Sequence, residues 1–244
     1  MSRFYVSIDK FADGKIRIEG KEAHHILDVL RLKRGDKAVL FGEDGKEYSG
    51  FIIETSAKAV IFSIDSVTDA QSRKNKTRIT LAQALPKKNK MDLIVEKATE
   101  LGVDTIIPVQ TERSIVKLRD AGTAKTGRWM RIAIEAAKQC GRADVSTIKE
   151  VMDFDASLKF VKDNDIALIG CLRPQTVSLK QILRQADSPN SVILFIGPEG
   201  DFSDNEVEKA VKTGCAPISL GGLVLKTDTA AISALSMVNY ELNI

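Results

Sequence analysis

The sequence has few of the residues that form covalent or metal cross-links. Its three cysteines, Cys140, Cys171 and Cys215, are far apart and form no Cys-x-x-Cys pair. Its only histidines, His24 and His25, are adjacent, and no cysteine lies near them in the sequence. The odd, scattered cysteines predict reduced thiols in a cytoplasm rather than disulfides. The spacing of these side chains argues against a zinc site.

Long apolar runs are also absent. No run approaches the roughly 20 apolar residues that a membrane-spanning helix needs. The stretch Met1–Val6 lacks the apolar core of a signal peptide and predicts a strand instead. The phosphate-binding patterns Gly-x-x-x-x-Gly-Lys-Ser/Thr and Gly-x-Gly-x-x-Gly do not occur, which argues against a nucleotide-binding enzyme. We therefore expect a cytoplasmic, globular protein with no membrane or metal partner.

Charge is unevenly distributed along the chain. Residues 1–70 carry a net charge of −1, residues 71–150 carry +8, and residues 151–244 carry −4. A concentrated basic segment is typical of proteins that bind nucleic acids. A solvated linker with solvated helix faces would give the same pattern, and this alternative stays open.

The chain changes character near residue 70. Residues 1–70 contain five short apolar runs separated by glycine-containing turns, which predicts a small antiparallel barrel. One helix, residues 22–30, interrupts these runs and should turn Ile26, Val29 and Leu30 inward. Residues 71–77 are polar and without periodicity, as in a linker. We expect domains at 1–70 and 78–244 joined by this linker.

After the linker, predicted strands alternate with predicted helices. Strands are expected at 78–84, 103–108, 166–170, 191–196 and 216–220. Helices are expected at 90–101, 126–140, 154–161 and 179–186, with two more after the last two strands. This alternation predicts an α/β fold in which helices cover both faces of a mostly parallel sheet.

The most informative segment follows the strand at 191–196. That strand is continuously apolar and should be buried. It ends at Gly197-Pro198, which cannot continue a ladder, and Gly200 permits backbone angles closed to other residues. Ser203 then stands three residues before Glu206, the spacing of a capping box at the start of a helix. Such a strand–turn–helix places backbone groups against a ligand at the carboxyl edge of a sheet.

A second turn of the same kind follows the strand at 216–220. Gly221-Gly222 ends that strand, and Thr227 or Asp228 is expected to cap the last helix. One helix–strand unit separates the two glycine turns, so they should lie side by side at one sheet edge. We predict that together they form a binding site.

Five ordered motifs now carry a resemblance to a known family. They are Lys90-x-Asp92 with Glu96-Lys-Ala-Thr-Glu-Leu-Gly-Val103, Pro108 with Thr111-Glu-Arg-Ser114, Ala136-x-x-Gln139-x-Gly-Arg142, Gly197-Pro-Glu-Gly200 and Leu225-Lys-Thr-Asp-Thr-Ala230. The chain resembles the ribosomal RNA small-subunit methyltransferase E family over nearly its whole length, including His24-His25-Ile-Leu-x-Val-Leu-Arg31. The resemblance implies a dimeric SPOUT methyltransferase with a PUA-like N-terminal barrel and a trefoil-knotted C-terminal domain. It implies methylation of N3 of a uridine in 16S ribosomal RNA, with S-adenosylmethionine as the methyl donor.

The resemblance also implies where the site residues lie. The predicted cofactor-binding residues are Ile196, Gly197, Pro198, Glu199, Gly200, Leu220, Gly221, Leu225, Thr227, Asp228, Thr229 and Ala230. From the residues themselves we predict that RNA is bound by Arg3, His24, His25, Arg31, Arg34, Lys87 and Lys88. A solvated turn stays the alternative for Arg31 and Arg34.

Methylation of uracil N3 requires loss of the N3 proton, so the site needs a base or cations beside the developing anion. We predict that Arg113 or Arg142 stabilises the anionic uracil. Glu199 or Asp228 would orient the cofactor or take the proton. The alternatives are that Arg142 and Glu199 are structural, and that the chain is a non-catalytic RNA-binding or ribosome-assembly protein.

The sequence departs from the family pattern at four positions. Asp201 stands where a third glycine is usual, and Cys140 where serine is common. Lys226 and Asp228 stand where arginine and glutamate are usual. Lys226 keeps the charge without the bidentate fork of arginine, and Asp228 keeps the carboxylate one methylene shorter than glutamate.

Overall fold

A computed structural model describes residues 1–7, 11–69, 75–87, 90–115 and 123–244. The chain divides into two compact units. The first unit comprises Met1–Lys74 and Ala137–Val145, and the second comprises Asn75–Ala136 and Ser146–Ile244. The domain limits expected from the sequence, 1–70 and 78–244, stay a prediction. Most of the predicted linker, residues 71–74, lies outside the described residues.

The first unit is built on one six-stranded sheet. Its order is β1-β4-β5-β6-β3-β2, where the strands are β1 Ser2–Tyr5, β2 Phe11–Ala12, β3 Lys15–Glu19, β4 Lys37–Phe41, β5 Lys46–Thr55 and β6 Ala59–Asp69. Neighbouring strands are antiparallel except β1 and β4, which are parallel. The expectation of purely antiparallel pairing is therefore wrong for this pair. A long connection through a helix separates β1 from β4, and such a connection permits parallel pairing.

Side chains of this sheet alternate between core and solvent. In β3, Ile16 and Ile18 are buried while the three residues around them are exposed, the period of two that a strand imposes. Phe4, Leu40 and Phe62 from neighbouring strands complete the same apolar core. The first unit thus has a core of its own.

The helix of the first unit differs from its prediction. Helix α1, Gly20–His24, continues into a π-helical turn at His25–Val29, in which the Leu30 amide donates to the His25 carbonyl five residues earlier. Ile26 is fully buried as expected, but Val29 is 61% exposed and Leu30 40% exposed. The inward placement of Val29 and Leu30 is wrong because the wider π turn rotates them away from the face predicted by a 3.6-residue period.

Residues 137–145 complete the first unit from a later part of the chain. Lys138 forms an ion pair with Glu22 at 2.7 Å, and the Arg142 carbonyl accepts a hydrogen bond from Arg3 at 2.8 Å. Arg3 also binds Glu47 at 2.8 Å. Contacts between residues that are far apart in the sequence therefore hold this unit together.

The second unit contains a parallel sheet, as the alternation of strands and helices predicts. Its order is β10-β8-β7-β13-β11-β14-β12, with β9 paired to β8. The strands are β7 Arg78–Ala84, β8 Thr105–Gln110, β9 Thr147–Ile148, β10 Met152–Asp153, β11 Ile166–Gly170, β12 Val177–Ser178, β13 Ser191–Ile196 and β14 Ala216–Ser219. The helices are α2 Lys90–Glu100, α3 Thr123–Cys140, α4 Phe154–Ser157, which continues as a 3-10 helix at Leu158–Asp163, α5 Leu179–Gln185, α6 Asp204–Thr213 and α7 Thr227–Asn243.

Strand β13 lies at the centre of this sheet. All six of its residues are buried, which explains its continuous apolar sequence. Its last residue, Ile196, is level with Gly170 of β11, and Gly170 is level with Ile218 of β14. The carboxyl ends of three adjacent strands therefore meet at one sheet edge.

Helix α6 begins with the capping box that the sequence predicts. The Ser203 hydroxyl accepts from the Glu206 amide at 3.2 Å, and the Glu206 carboxylate accepts from the Ser203 amide at 2.9 Å. Glu206 is buried and also accepts from the Glu112 amide at 2.9 Å. The start of α6, directly after the β13 turn, is thus fixed by hydrogen bonds that are satisfied on both sides.

Candidate functional site

The turn after β13, Gly197–Phe202, forms the first wall of the site. The Asp201 amide donates to the Pro198 carbonyl at 3.0 Å and closes the turn on itself. Arg113 Nη1 donates to the carbonyls of Gly200 at 2.7 Å and Phe202 at 3.2 Å. These bonds give Arg113 a clear structural role, since it holds the backbone of the first turn.

A side chain at Gly197 would crowd this turn. A Cβ atom there would lie 3.3 Å from Asp201 Oδ1 and 3.3 Å from Phe202 Cδ2. Glycine therefore allows the Asp201 carboxylate and the Phe202 ring to pack directly against the backbone at the end of β13.

The turn after β14, Leu220–Leu225, forms the second wall. Gly221 has a φ of +133°, a conformation that side-chain-bearing residues rarely adopt. Ser219 Oγ lies 3.2 Å from both the amide and the carbonyl of Gly221, which ties the end of β14 to this turn. The two glycine turns thus follow strands that are both neighbours of β11.

A third turn, Cys171–Arg173, follows β11 and was not predicted as part of the site. The Cys171 amide donates to the Ile218 carbonyl of β14 at 3.2 Å. The Leu172 amide donates to Asp201 Oδ2 in the first turn at 2.9 Å. The third turn therefore lies between the first two turns. It is hydrogen-bonded to β14, which precedes the second turn, and to Asp201 in the first turn. Only the strand order places it there, and the sequence does not give that order.

The three turns enclose a pocket of about 610 Å³, part of which is open to solvent. Nine of the twelve predicted cofactor-binding residues line it, namely Ile196, Gly197, Pro198, Glu199, Leu220, Gly221, Leu225, Thr227 and Ala230. Gly200, Asp228 and Thr229 are not among the lining residues. Residues that the sequence reasoning missed also line it, among them Gly170, Cys171, Leu172, Asp201 and Ser219. The predicted side-by-side arrangement of the two glycine turns is present in the structure.

Thr227 supports the floor of the pocket and does not cap α7. The N-cap of α7 is Lys226, whose side chain makes no capping bond, so the expectation that Thr227 or Asp228 caps this helix is wrong. The buried Thr227 hydroxyl instead donates to the Gly197 carbonyl at 2.6 Å and accepts from Gln83 Nε2 at 3.0 Å. Gln83 is fully buried at the end of β7, where its amide also donates to the Ala84 carbonyl at 3.0 Å.

This Gln83–Thr227–Gly197 chain joins β7, α7 and the first turn. Gln83 was missed, although a glutamine within an otherwise apolar strand end is a visible signal, because buried polar side chains need partners. The carbonyl of Gly197 is held in place from below, inside the protein.

A charged cluster lies beside the first turn. Lys90 Nζ is 3.0 Å from Glu199 Oε1 and 3.2 Å from Asp228 Oδ1. The Glu199 carboxylate also accepts from the Lys87 amide at 3.2 Å. The start of α2, the first turn and the start of α7 are therefore linked through one lysine.

The cluster keeps its groups ionised. Burial alone would raise the pKa of Glu199, but hydrogen bonds from its own amide, from Lys90 and from the Lys87 amide outweigh burial and lower that pKa. Burial likewise opposes ionisation of Asp228, yet bonds from its own amide and from Lys90 lower its pKa. The bond to Glu199 is the main cause of a raised pKa for Lys90, followed, after an opposing effect of burial, by the bond to Asp228. Ionised carboxylates with lowered pKa values are poor proton acceptors.

Comparison with known proteins identifies the family. The model of the RNA methyltransferase domain matches residues 73–239, and that of the RNA methyltransferase PUA domain matches residues 18–65. Ribosomal RNA small subunit methyltransferase E of Bacillus subtilis (strain 168) is 30% identical, over 99% of this chain and 97% of that protein. The chain belongs to the ribosomal RNA small-subunit methyltransferase E family.

Solved structures of similar proteins share the fold. A methyltransferase of Legionella pneumophila in complex with the cofactor SAM is 33% identical, with a TM-score of 0.87 over 98% of this chain and 96% of that one. The family member from Neisseria gonorrhoeae, solved with S-adenosyl methionine, is 25% identical, with a TM-score of 0.85 over 98% of this chain and 97% of that one. The expected combination of a PUA domain and a methyltransferase domain is confirmed, and the trefoil knot stays a prediction.

Two of the predicted functional arginines have partners inside the first unit. The Arg142 guanidinium binds Asp144 at 3.1 Å, and Arg142 is not among the residues that line the pocket. The Arg3 side chain is 15% exposed, binds Glu47, and lies 5.2 Å from the centre of the Phe41 ring. These contacts favour the structural alternative for Arg142 and give Arg3 a role in holding the family's PUA domain together.

The remaining predicted RNA-binding residues lie mostly at the surface. His24 is exposed and pairs with Asp28, while the half-buried His25 ring meets the Phe4 ring edge-on at 6.4 Å. Arg31, Arg34 and Lys87 are exposed. Lys88 lies outside the described residues. Their role in RNA binding stays a prediction.

Membrane spans and metal clusters are both absent from the described residues. Within that part of the chain, no helix is long and apolar enough to cross a membrane. Nor do the described side chains include a group of three or more histidine, cysteine, aspartate or glutamate residues placed to hold a metal ion.

Proposed function

We propose that this protein transfers the methyl group of S-adenosylmethionine to N3 of a uridine in the 16S ribosomal RNA of the small subunit. One observation carries the proposal: in a member of this methyltransferase family, three turns at the ends of adjacent parallel strands enclose a pocket. That position, outside the carboxyl ends of strands in an α/β sheet, is where such folds bind ligands. The solved relatives that contain the methyl donor support the same assignment.

The residues of the pocket fit this donor. Apolar side chains from all three turns, among them Pro198, Leu172 and Leu225, suit the flat faces of an adenine ring. Glycines at 197 and 221 bring backbone amides and carbonyls to the pocket surface, where they can bond to the adenine edge. The carboxylates of Glu199 and Asp201 suit a ligand with positive charge.

S-adenosylmethionine, when bound, supplies an electrophilic methyl group. The protein must bring uracil N3 in line with that group, so much of the rate comes from positioning. The Gln83–Thr227–Gly197 chain and the Lys90 cluster provide rigid support on two sides of the pocket. We propose that Glu199 and Asp228 orient bound groups, because their lowered pKa values make them unsuited to remove the N3 proton. For Arg113, fixing the first turn comes first, and a second role in stabilising anionic uracil stays a prediction.

The pKa directions give a pH prediction for this cluster. A carboxylate whose pKa falls on folding contributes stability above its ordinary pKa, here 4.5 for Glu199 and 3.8 for Asp228, and loses it only as the pH falls through the lower folded value. Lys90, with a pKa raised above 10.5, loses its contribution only as the pH rises through that higher value. The cluster should therefore stay fully ionised between about pH 5 and pH 10.

Donor affinity measured by calorimetry from pH 6 to pH 9 should consequently vary by no more than about twofold through this cluster. The matched variant Lys90→Met removes the cation that helps to lower the pKa values of Glu199 and Asp228. As the pH is lowered, the donor affinity of this variant should therefore begin to fall at a higher pH than that of the wild type. A tenfold change centred between pH 6 and pH 8 that disappears in Glu199→Gln would show that Glu199 titrates there, contrary to this prediction.

We propose that the first unit binds the RNA. Its match to the PUA domain of RNA methyltransferases supports this role, and so do the exposed Arg31 and Arg34 near one turn. The net charge of +8 over residues 71–150 provides further attraction for phosphates. The target base must leave its stack, because pairing would hide N3.

We also propose that the protein acts in the cytoplasm as a homodimer with a knotted methyltransferase domain. Helix α7 supports the dimer, since Met237, Tyr240 and Ile244 leave large apolar side chains exposed near its end. Light scattering at micromolar concentration tests the assembly directly.

The decisive experiment for the function uses purified protein, labelled S-adenosylmethionine and either naked 16S RNA or assembled small subunits. Digestion to nucleosides and mass spectrometry should detect N3-methyluridine. A protein that binds the RNA without binding the donor or adding a methyl group would be the non-catalytic alternative. A methyl group found on another base atom would overturn the N3 assignment alone.

A further inference from the structure

Asp201 occupies an unusual place in the pocket wall. Its φ of +60° lies in the left-handed region, which favours glycine and tolerates aspartate and asparagine. The resemblance to the family implies a glycine at this position, where this chain has a carboxylate. One oxygen, Oδ2, accepts the Leu172 amide at 2.9 Å, and Oδ1 lies against Gly197.

Charge on the pocket wall is carried by two residues of the described chain. Glu199 and Asp201 are the charged residues among the lining side chains, and no lysine or arginine lines the pocket there. Glu199 is paired with Lys90. Among the described ion pairs, none involves Asp201, and Arg173, the nearest basic residue after Leu172 in the sequence, is paired with Asp204 at 2.6 Å. Of the two carboxylates that line the pocket, Asp201 is therefore the one without an ion pair among the described residues.

The Asp201 carboxylate acts electrostatically on Cys171, another residue of the pocket lining. Cys171 lines the pocket, and its pKa is raised first by burial and further by the nearby Asp201 carboxylate, against a lowering by bonds and charge at Arg173. A charge that destabilises a thiolate at this place stabilises a cation at the same place.

We propose that Asp201 determines specificity by favouring the cationic methyl donor over its neutral product. S-adenosylmethionine carries a positive sulfonium, and S-adenosylhomocysteine, which remains after methyl transfer, carries a neutral thioether instead. A carboxylate in the wall attracts the first more than the second, so it promotes exchange of product for fresh donor. This inference rests on the proposed function, and it concerns a pocket residue outside the predicted cofactor-binding set.

The variant Asp201→Asn isolates the charge. Asparagine tolerates the left-handed backbone, and its amide oxygen can still accept from Leu172. Calorimetry should show donor affinity falling by about three- to tenfold, the size expected for one partly screened charge several ångströms away. Affinity for S-adenosylhomocysteine should stay within about twofold of wild type, because that ligand lacks the sulfonium charge.

Three comparisons make the test selective. Sinefungin carries an ammonium in place of the sulfonium. In Asp201→Asn its affinity should fall as the donor affinity does, whereas the affinity for the product should not. Asp201→Gly should weaken all three ligands by loosening the third turn, yet show the same donor-to-product ratio as Asp201→Asn. Glu208→Gln removes an exposed carboxylate from α6, outside the pocket lining, and should leave the ratio unchanged.

Equal losses for donor and product in Asp201→Asn would overturn the proposal and leave Asp201 a purely structural residue. An unchanged donor affinity would overturn it as well. If the wild-type protein bound none of the three ligands, the proposed function would fail instead, so the two failures are distinguishable.

Discussion

Replacing Gly221 with valine should weaken binding of the methyl donor by roughly five- to 150-fold, the range set by about 1–3 kcal/mol of backbone strain. Gly221 has a φ of +133°, which a β-branched residue cannot adopt without strain. Apart from the two neighbouring residues in the chain, no atom of the described residues lies within 4 Å of the position that a Cβ would take, so the strain lies in the backbone. Relief of the strain requires movement of the second turn, and that turn forms one wall of the pocket.

Gly222 offers a matched control one residue along the chain. A Cβ there would also meet open space, the φ of Gly222 lies outside the left-handed range, and the residue is not among those that line the pocket. Gly222→Val should therefore bind the donor within about threefold of wild type, as an exposed substitution without strain. Thermal unfolding should show both variants folded. Equal donor affinity in Gly221→Val and wild type would mean that the second turn does not hold the donor.

Thr227→Val should lower the stability of the second unit by roughly 1–3 kcal/mol and should also weaken donor binding. Valine has a similar shape but no hydroxyl, so it leaves the Gly197 carbonyl without the bond at 2.6 Å and Gln83 Nε2 without its acceptor at 3.0 Å. Gln83 Nε2 keeps its bond to the Ala84 carbonyl at 3.0 Å, so the main cost is the lost bond to the Gly197 carbonyl, about 1–3 kcal/mol. Without this hydrogen bond the Gly197 carbonyl is no longer held in place, and we expect the first turn to shift with it.

Urea unfolding and donor calorimetry on the same preparations test this expectation. Thr227→Ser keeps the hydroxyl and should retain most of both quantities. The double variant Gln83→Leu with Thr227→Val removes both buried polar partners, so it should cost less than the sum of the two single changes. Strict additivity, or a Thr227→Val protein as stable as Thr227→Ser, would show that the buried hydrogen-bond chain contributes little.

Features that depend on neighbouring residues were predictable from the sequence. Strands β7, β11 and β13 have the bounds expected from their apolar runs. The capping box of Ser203 and Glu206 was visible in their spacing because a cap involves residues within one turn of helix. The two glycine turns could be assigned to one sheet edge because successive parallel strands of a crossover unit point the same way.

Features that depend on strand order were not predictable in this way. The third turn enters the site because β11 lies between β13 and β14, although it precedes both in the chain. Lys90 and Gln83 join the site from strands and helices more than a hundred residues from the glycine turns, through contacts that only folding creates. Thr227 was expected to cap α7 because threonine commonly caps helices. Its hydroxyl is instead bonded to the Gly197 carbonyl and to the side-chain amide of Gln83.

The first unit is built from two separate segments of the chain, and this affects the order in which its contacts form during synthesis. Although this unit contains the start of the chain, Lys138 and the carbonyl of Arg142 hold Glu22 and Arg3 in it. During synthesis, the amino-terminal stretch therefore waits for residues 137–145 to leave the ribosome before its last contacts form. By that time β7, α2, β8 and all of α3 have already been translated, so the first unit completes its structure only after residues 75–136 of the second unit have been made.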